Sequence, residues 1–173
     1  MTSYKQLLKE VNTFIFDYDG VLTNGIVVLM ETGEHLRTAN VKDGYAIQLA
    51  ARKGYKVAII TGGYSKTVET RFKDLSVTDV FIGAKNKMKI FKEYIEEYEL
   101  NPKTVLYMGD DIPDYEVMKK VGVPTCPADA AEEIKSISKY ISHYKGGEGC
   151  VREIIEQVLK IQGKWMNEDA YDW

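Results

Sequence analysis

Two aspartates one residue apart, Asp17 and Asp19, close an apolar run that reads Thr13-Phe14-Ile15-Phe16 and open onto Gly20. One carboxylate of such a pair can attack a phosphoryl group or hold a metal, and the other can manage protons. A second acidic cluster, Asp110, Asp111 and Asp114, follows the run Val105-Leu106-Tyr107-Met108-Gly109. Between them, Val57-Ala58-Ile59-Ile60 ends in Thr61-Gly62-Gly63, and Val80-Phe81-Ile82-Gly83 is followed shortly by Lys87. Each motif alone is weak. A DxDG is also a solvated loop, Thr-Gly-Gly a turn, Lys87 a charge on a lysine-rich helix, and Asp114 a helix cap. Together, four apolar runs end in residues able to handle phosphate or metal. In a parallel sheet those ends share one edge, where open α/β sheets place their ligands.

The elements that must position these residues alternate along the chain. Strands are expected over 13–16, 56–60, 79–82, 104–108, 123–125 and 140–141. Helices are expected over 43–53, 65–75, 86–98, 114–120, 130–136 and 150–160. Segments 26–30 and 36–40 read as two strands joined by a turn at Thr32-Gly33, a hairpin inserted after the first motif. This alternation predicts an α/β three-layer sandwich with a mostly parallel sheet, a small hairpin insertion and no cap domain. Residues 1–161 read as a single domain. Residues 162–173, with Trp165 and Trp173, read as a C-terminal tail.

Composition narrows the class. The chain has 173 residues, enough for one domain with a sizeable core. A net charge of −3 gives no basic footprint for nucleic acid. No apolar stretch is long enough to span a bilayer. Cys126 and Cys150 form no CxxC, and no signal peptide is evident, so a reduced cytoplasmic protein is expected. With His35 and His143 as the only histidines, a His-rich zinc site is not expected.

The four motifs, in this order over residues 13–115, resemble those of the haloacid dehalogenase-like phosphatases. The finer features are similar to the capless 3-deoxy-D-manno-octulosonate 8-phosphate (KDO 8-phosphate) phosphatases. These features are Asp19-Gly20-Val21-Leu22-Thr23 before a hairpin, Val41-Lys42-Asp43-Gly44, and a Gly146 to Glu153 segment reading GGEGCVRE. That resemblance implies an aspartyl-phosphate mechanism, with Asp17 as nucleophile and Asp19 as acid and base. Mg²⁺ would be held by the Asp17 carboxylate, the Asp19 backbone carbonyl and Asp110, with Asp111 and Asp114 orienting metal waters and Lys87. Thr61, the Gly62 amide and Lys87 would contact the phosphoryl oxygens. Gly63, Lys42 and Asp43 fall where sugar contacts are expected, and Arg71 is implied to reach the sugar carboxylate in an adjacent subunit. The Gly146–Gly149 segment reads either as a loop closing on substrate or as a helix-entry turn.

The chain departs from the family at Asn24, commonly Asp, at Gly63, often Arg, and at Lys42, usually Arg. These changes leave the phosphoryl machinery intact and bear on the sugar. A nine-carbon relative, KDN 9-phosphate, is the alternative substrate. With no room for a cap domain, the site must borrow its cover, and the expectation is a homotetramer in which neighbours shield the site through the hairpin. The product would be a free keto-sugar acid for lipopolysaccharide at the bacterial outer surface. Other classes remain open on the residues alone. A signalling receiver combines similar groups but splits its acids between strands, whereas Asp17 and Asp19 share one strand end. A silent scaffold would not need the complete catalytic set, and a phosphomutase would normally need a larger cap.

Overall fold

A computed structural model describes residues 4–171. Asp172 and Trp173 of the expected tail lie outside the described residues, as do residues 1–3. A first short helix α1 (Tyr4–Leu7) continues as a 3-10 turn over Leu8–Glu10 and leads into β1 (Thr13–Phe16). A hairpin of β2 (Val28–Leu29) and β3 (His35–Leu36) follows, then α2 (Val41–Arg52), β4 (Lys56–Ile60), α3 (Lys66–Asp74) and β5 (Asp79–Phe81). The second half runs α4 (Lys87–Glu97), β6 (Val105–Met108), α5 (Tyr115–Met118), β7 (Val123–Cys126), α6 (Glu132–Ile137), β8 (Tyr140–Ile141) and α7 (Cys150–Ile161).

Six strands form one sheet in the order β5-β4-β1-β6-β7-β8, and every pairing in it is parallel. The chain leaves β1 toward β4 on one side and later returns to β6 on the other. The strand order therefore reverses at β1, and the carboxyl ends flanking it form the crevice where such sheets bind ligands. The fold and its hairpin match the sequence expectation. The hairpin strands are shorter than expected, two residues each, because Ile26, Val28, Leu29, Met30 and Leu36 are exposed and bury nothing within this chain.

The central strands read as continuous apolar runs because both faces are covered. Phe14 and Phe16 point into one core with Ala46, Ile47 and Leu49 of α2, Phe72 of α3, and Ile154, Ile155 and Val158 of α7. Ile15 points the opposite way, into a second core with Phe91 and Tyr94 of α4, Val117 of α5 and Ile134 of α6. Val57 and Ile59 of β4 join the first core and Ala58 and Ile60 the second, so the period of two is kept in register across the sheet. Each fully buried Phe, Ile or Leu contributes about 1.5–3 kcal/mol, which pins β1 in the middle of the sheet.

The segment expected to be a tail folds back on the body. Gln162 donates to the carbonyls of Leu8 and Val11 at 2.9 and 2.8 Å. Trp165 stacks under the Arg152 guanidinium at 4.8 Å, and Ala170 is buried and accepts from the Tyr45 hydroxyl.

Candidate active site

The crevice collects its functional groups from four strand ends. Asp17 follows β1 directly, and its amide donates to the carbonyl of Met108 on β6 at 3.0 Å. Thr61 follows β4, and its backbone bonds to both Phe81 and Ala84, which ties the Thr61-Gly62-Gly63 turn to the end of β5. Asp110 follows β6 after Gly109. Lys87 opens α4, whose first turn is capped by the Asn86 side chain accepting from Lys89 N–H at 2.9 Å. Asp17, Asp19, Thr61, Gly62, Gly63, Lys87, Asp110, Asp111 and Asp114 line one cleft of about 320 Å³. All nine were expected there from the sequence.

Lys87 is the electrostatic hub. Its ammonium stands 2.8 Å from Asp17 Oδ1 and 2.7 Å from Asp114 Oδ1, with all three side chains below a tenth exposed. Asp114 also accepts from the Tyr107 hydroxyl at 2.6 Å, and its Oδ2 accepts from the Asp110 amide at 3.3 Å. Asp114 is thereby saturated and works by fixing Lys87. Burial alone would lower the Lys87 pKa, but Asp17 and Asp114 outweigh it and hold the ammonium charged. Burial, then the nearby Asp114 charge, pushes Asp17 well above the usual carboxylate range against the pull of Lys87. The same two causes, in the same order, push Asp110 up to about 6. Asp17, Asp110 and Asp114 bring carboxylate oxygens within 4.8 Å of one another.

Such crowding fits a cation. Asp110 Oδ1 is buried without a hydrogen-bond partner, next to Asp17, while the Asp114 oxygens are already taken by Lys87, Tyr107 and the Asp110 amide. Asp17 and Asp110 thus offer hard oxygen donors on one side of the cleft, the chemistry that suits a small divalent ion. Gly20 is what lets Asp110 reach this place. Its φ is +90°, and a Cβ there would lie 2.0 Å from Asp110 Oδ2. Gly146 in turn packs so closely that a Cβ would lie 1.9 Å from the Gly20 carbonyl oxygen. The Gly146–Gly149 segment therefore buttresses the first loop.

Two expected sugar contacts, Lys42 and Asp43, lie elsewhere. Lys42 borders a separate cleft with Arg152 and Lys160. Asp43, read from the sequence as a sugar contact, is buried. Its Oδ1 accepts from the Arg152 amide at 2.7 Å. It caps α7, whose N-terminal Gly149 supplies no capping side chain. Asp111 lines the cleft edge but spends Oδ1 on the Ile112 amide at 2.8 Å, capping the turn at Ile112–Asp114. Arg71 lies beside Tyr18 and His35, apart from the cleft of its own chain, and its expected contact is with the substrate of an adjacent subunit.

One group was missed. Arg37, at the end of β3, grips Asp19 through two bonds, Nε to Oδ1 at 2.6 Å and Nη2 to Oδ2 at 3.1 Å. The sequence signal was its place just beyond the hairpin, which follows the DxDG in the chain. An arginine there had no spacing motif to single it out.

A model of the haloacid dehalogenase-like hydrolases matches residues 38–122. The chain is 38% identical over 156 residues to the Salmonella typhi 3-deoxy-D-manno-octulosonate 8-phosphate phosphatase KdsC, covering 90% of this chain and 83% of that protein. The chain belongs to the haloacid dehalogenase-like hydrolases. Among solved structures, the phosphatase of the same name from Yersinia pestis superposes with a TM-score of 0.90 at 34% identity, covering 92% of this chain and 86% of that one. The Moraxella catarrhalis enzyme, solved with magnesium, phosphate and KDO, superposes with a TM-score of 0.92 at 29% identity, over 99% of this chain and 97% of that one. Like the sequence-expected architecture, this hydrolase fold carries a hairpin and no cap domain among the described residues.

Proposed function

We propose that this hydrolase is a Mg²⁺-dependent phosphatase that converts 3-deoxy-D-manno-octulosonate 8-phosphate into the free eight-carbon keto-sugar acid and inorganic phosphate. The observation that carries the reading is the Asp17–Lys87–Asp114 arrangement facing a cleft that also holds Asp19 and the partnerless oxygen of Asp110. The named activity of its relatives supplies the substrate.

In this reading an Asp17 carboxylate oxygen bonds to phosphorus as the bond from phosphorus to the sugar oxygen breaks. The electron pair stays on the sugar oxygen, which takes a proton from Asp19. Water then attacks phosphorus, gives its proton to Asp19, and the Asp17–phosphorus bond breaks, restoring both acids. Lys87, fixed by Asp114, neutralises charge on the transferring group, and Thr61 and the Gly62 amide hydrogen-bond its oxygens. When bound, Mg²⁺ would be held by the carboxylates of Asp17 and Asp110 and the Asp19 carbonyl, and would offset repulsion between these acids and the phosphate.

The exposure of Ile26, Val28 and Leu29, at 62%, 54% and 73%, supports a homotetramer in which hairpins cover neighbouring sites, with Arg71 reaching a neighbour's sugar acid. Two buried, free cysteines, Cys126 and Cys150, are consistent with a reducing cytoplasm, and the product of this reaction would be destined for lipopolysaccharide. Phosphate release from KDO 8-phosphate, KDN 9-phosphate and neutral sugar phosphates, with Mg²⁺ or EDTA, tests the function. Selective metal-dependent release from the eight-carbon acid is expected. Preference for the nine-carbon acid would keep the chemistry and change the substrate.

A further inference from the structure

The mechanism above leaves one strong contact at the site without a use, and that contact opposes it. Arg37 occupies both oxygens of Asp19 in a two-point fork, and its Nη1 is anchored to the carbonyl of His35 at 3.3 Å. The Arg37 side chain is 12% exposed and that of Asp19 33%, so the pair sits at the cleft mouth, partly withdrawn from water. The guanidinium also lies against Gly63, where a Cβ would come within 3.1 Å of Nη2. While this fork is closed, both Asp19 oxygens are held by the guanidinium. A charge-assisted, two-bond pair of this kind opens readily only if another anion takes the guanidinium.

The substrate supplies one. Its phosphoryl end is claimed by Asp17, Lys87 and Thr61, and its other end is a carboxylate, which Arg37 would share with the Arg71 proposed above to reach it from a neighbouring subunit. Exchanging one carboxylate for another on the same arginine trades equal bonds, so the step costs little. There is space for it. Arg37 borders a cleft of about 150 Å³ with Tyr18 and Arg71 on one side and one of about 310 Å³ with Asn24 and Ile26 on the other.

We propose that Arg37 is a positioning residue that passes from Asp19 to the substrate carboxylate, so that Asp19 is freed only when a sugar acid phosphate enters. The inference rests on the phosphatase reading above. It makes specificity a property of turnover as well as of binding. A neutral sugar phosphate can place its phosphate beside Asp17 yet leaves Asp19 clamped.

The test compares KDO 8-phosphate with its C1 amide, measuring kcat and KM separately for the native protein, Arg37→Ala and Arg37→Lys. For the native protein the acid should exceed the amide by roughly 10- to 100-fold in kcat/KM, with a clear share in kcat, the scale of a charge-assisted pair. In Arg37→Ala that preference should collapse to within about threefold, with kcat on the amide rising, as expected for a coupled pair in a double-mutant cycle. Arg37→Lys should restore part of the preference. Thermal midpoints equal to the native value confirm that the variants are folded. A preference that survives in folded Arg37→Ala would overturn the exchange and leave the phosphatase standing. So would a native preference confined to KM, which needs no variant at all. No release from the acid by the native protein would overturn the phosphatase reading and the exchange with it.

Discussion

Replacing Asp43 with asparagine should change how stability depends on pH, and the size of the effect follows from where the side chain lies. Asp43 is 1% exposed, its Oδ1 caps α7, and its Oδ2 has no hydrogen-bond partner. Burial pushes its carboxyl up from 3.8 to about 6, against the opposing hydrogen bond from the Arg152 amide. A raised folded-state pKa means that the folded protein binds this proton more tightly than the unfolded chain. Stability from this group is therefore complete below about pH 4 and is lost as pH rises through about 6. The shift is worth about 3 kcal/mol. The Asp43→Asn side chain keeps a cap acceptor and carries no charge at any pH. Urea denaturation of both proteins from pH 4 to 7.5 should show their stability difference moving by about 2.5 kcal/mol in favour of the variant as pH rises. A constant offset from the unpartnered amide does not affect that slope. A difference that stays flat with pH would refute the assignment of a strained buried carboxylate at the start of α7.

Three further expectations come from the same geometry. Lys87→Met should lower kcat by at least about 10²-fold and destabilise by roughly 3–5 kcal/mol, because Asp17 and Asp114 are left buried and unpaired. Adding Asp114→Asn should recover part of the stability and none of the activity. Gly20→Ala must displace the Asp110 carboxylate and should weaken Mg²⁺ activation at least about tenfold, read from a metal titration of activity. Gly146→Ala, which presses on the Gly20 backbone, should do the same more mildly. Trp165→Ala should cost about 1–2 kcal/mol in denaturant unfolding with kcat unchanged, because the ring only docks the C-terminal segment onto Arg152.

The parts of this molecule that were legible in the sequence are those governed by local pattern. Runs such as Phe14-Ile15-Phe16 and Val57 to Ile60 alternate between two cores, and a run buried on both faces can only be an interior strand of a parallel sheet. Once those strands are parallel, Asp17, Thr61, Lys87 and Asp110 must meet at one edge, so the cleft could be drawn from spacing. What stayed hidden depends on pairs distant in the chain. Asp43 is the third residue of a motif that looks like a substrate element, but its partner is the Arg152 amide, 109 positions away. Asp111 looked like one more acid in a cluster, and its role as a cap for the next residue needs the turn conformation to be seen. Arg37 belongs to the site because the hairpin folds back over Asp19, an orientation no periodicity specifies. The docking of Trp165 and Ala170 likewise rests on contacts with α2 and α7 that a polar C-terminal segment does not advertise.

In the proposed mechanism Asp17 carries the phosphoryl group during turnover of KDO 8-phosphate. The most direct measurement is rapid acid quench of the native protein during turnover with Mg²⁺, followed by peptide mass spectrometry, with Asp17→Asn run in parallel. A phosphoryl mass increment is expected on the peptide holding Asp17, lost in the variant together with phosphate release. Phosphate release that persists in Asp17→Asn, or a phosphoryl group found on Asp19 or Asp110 instead, would contradict it.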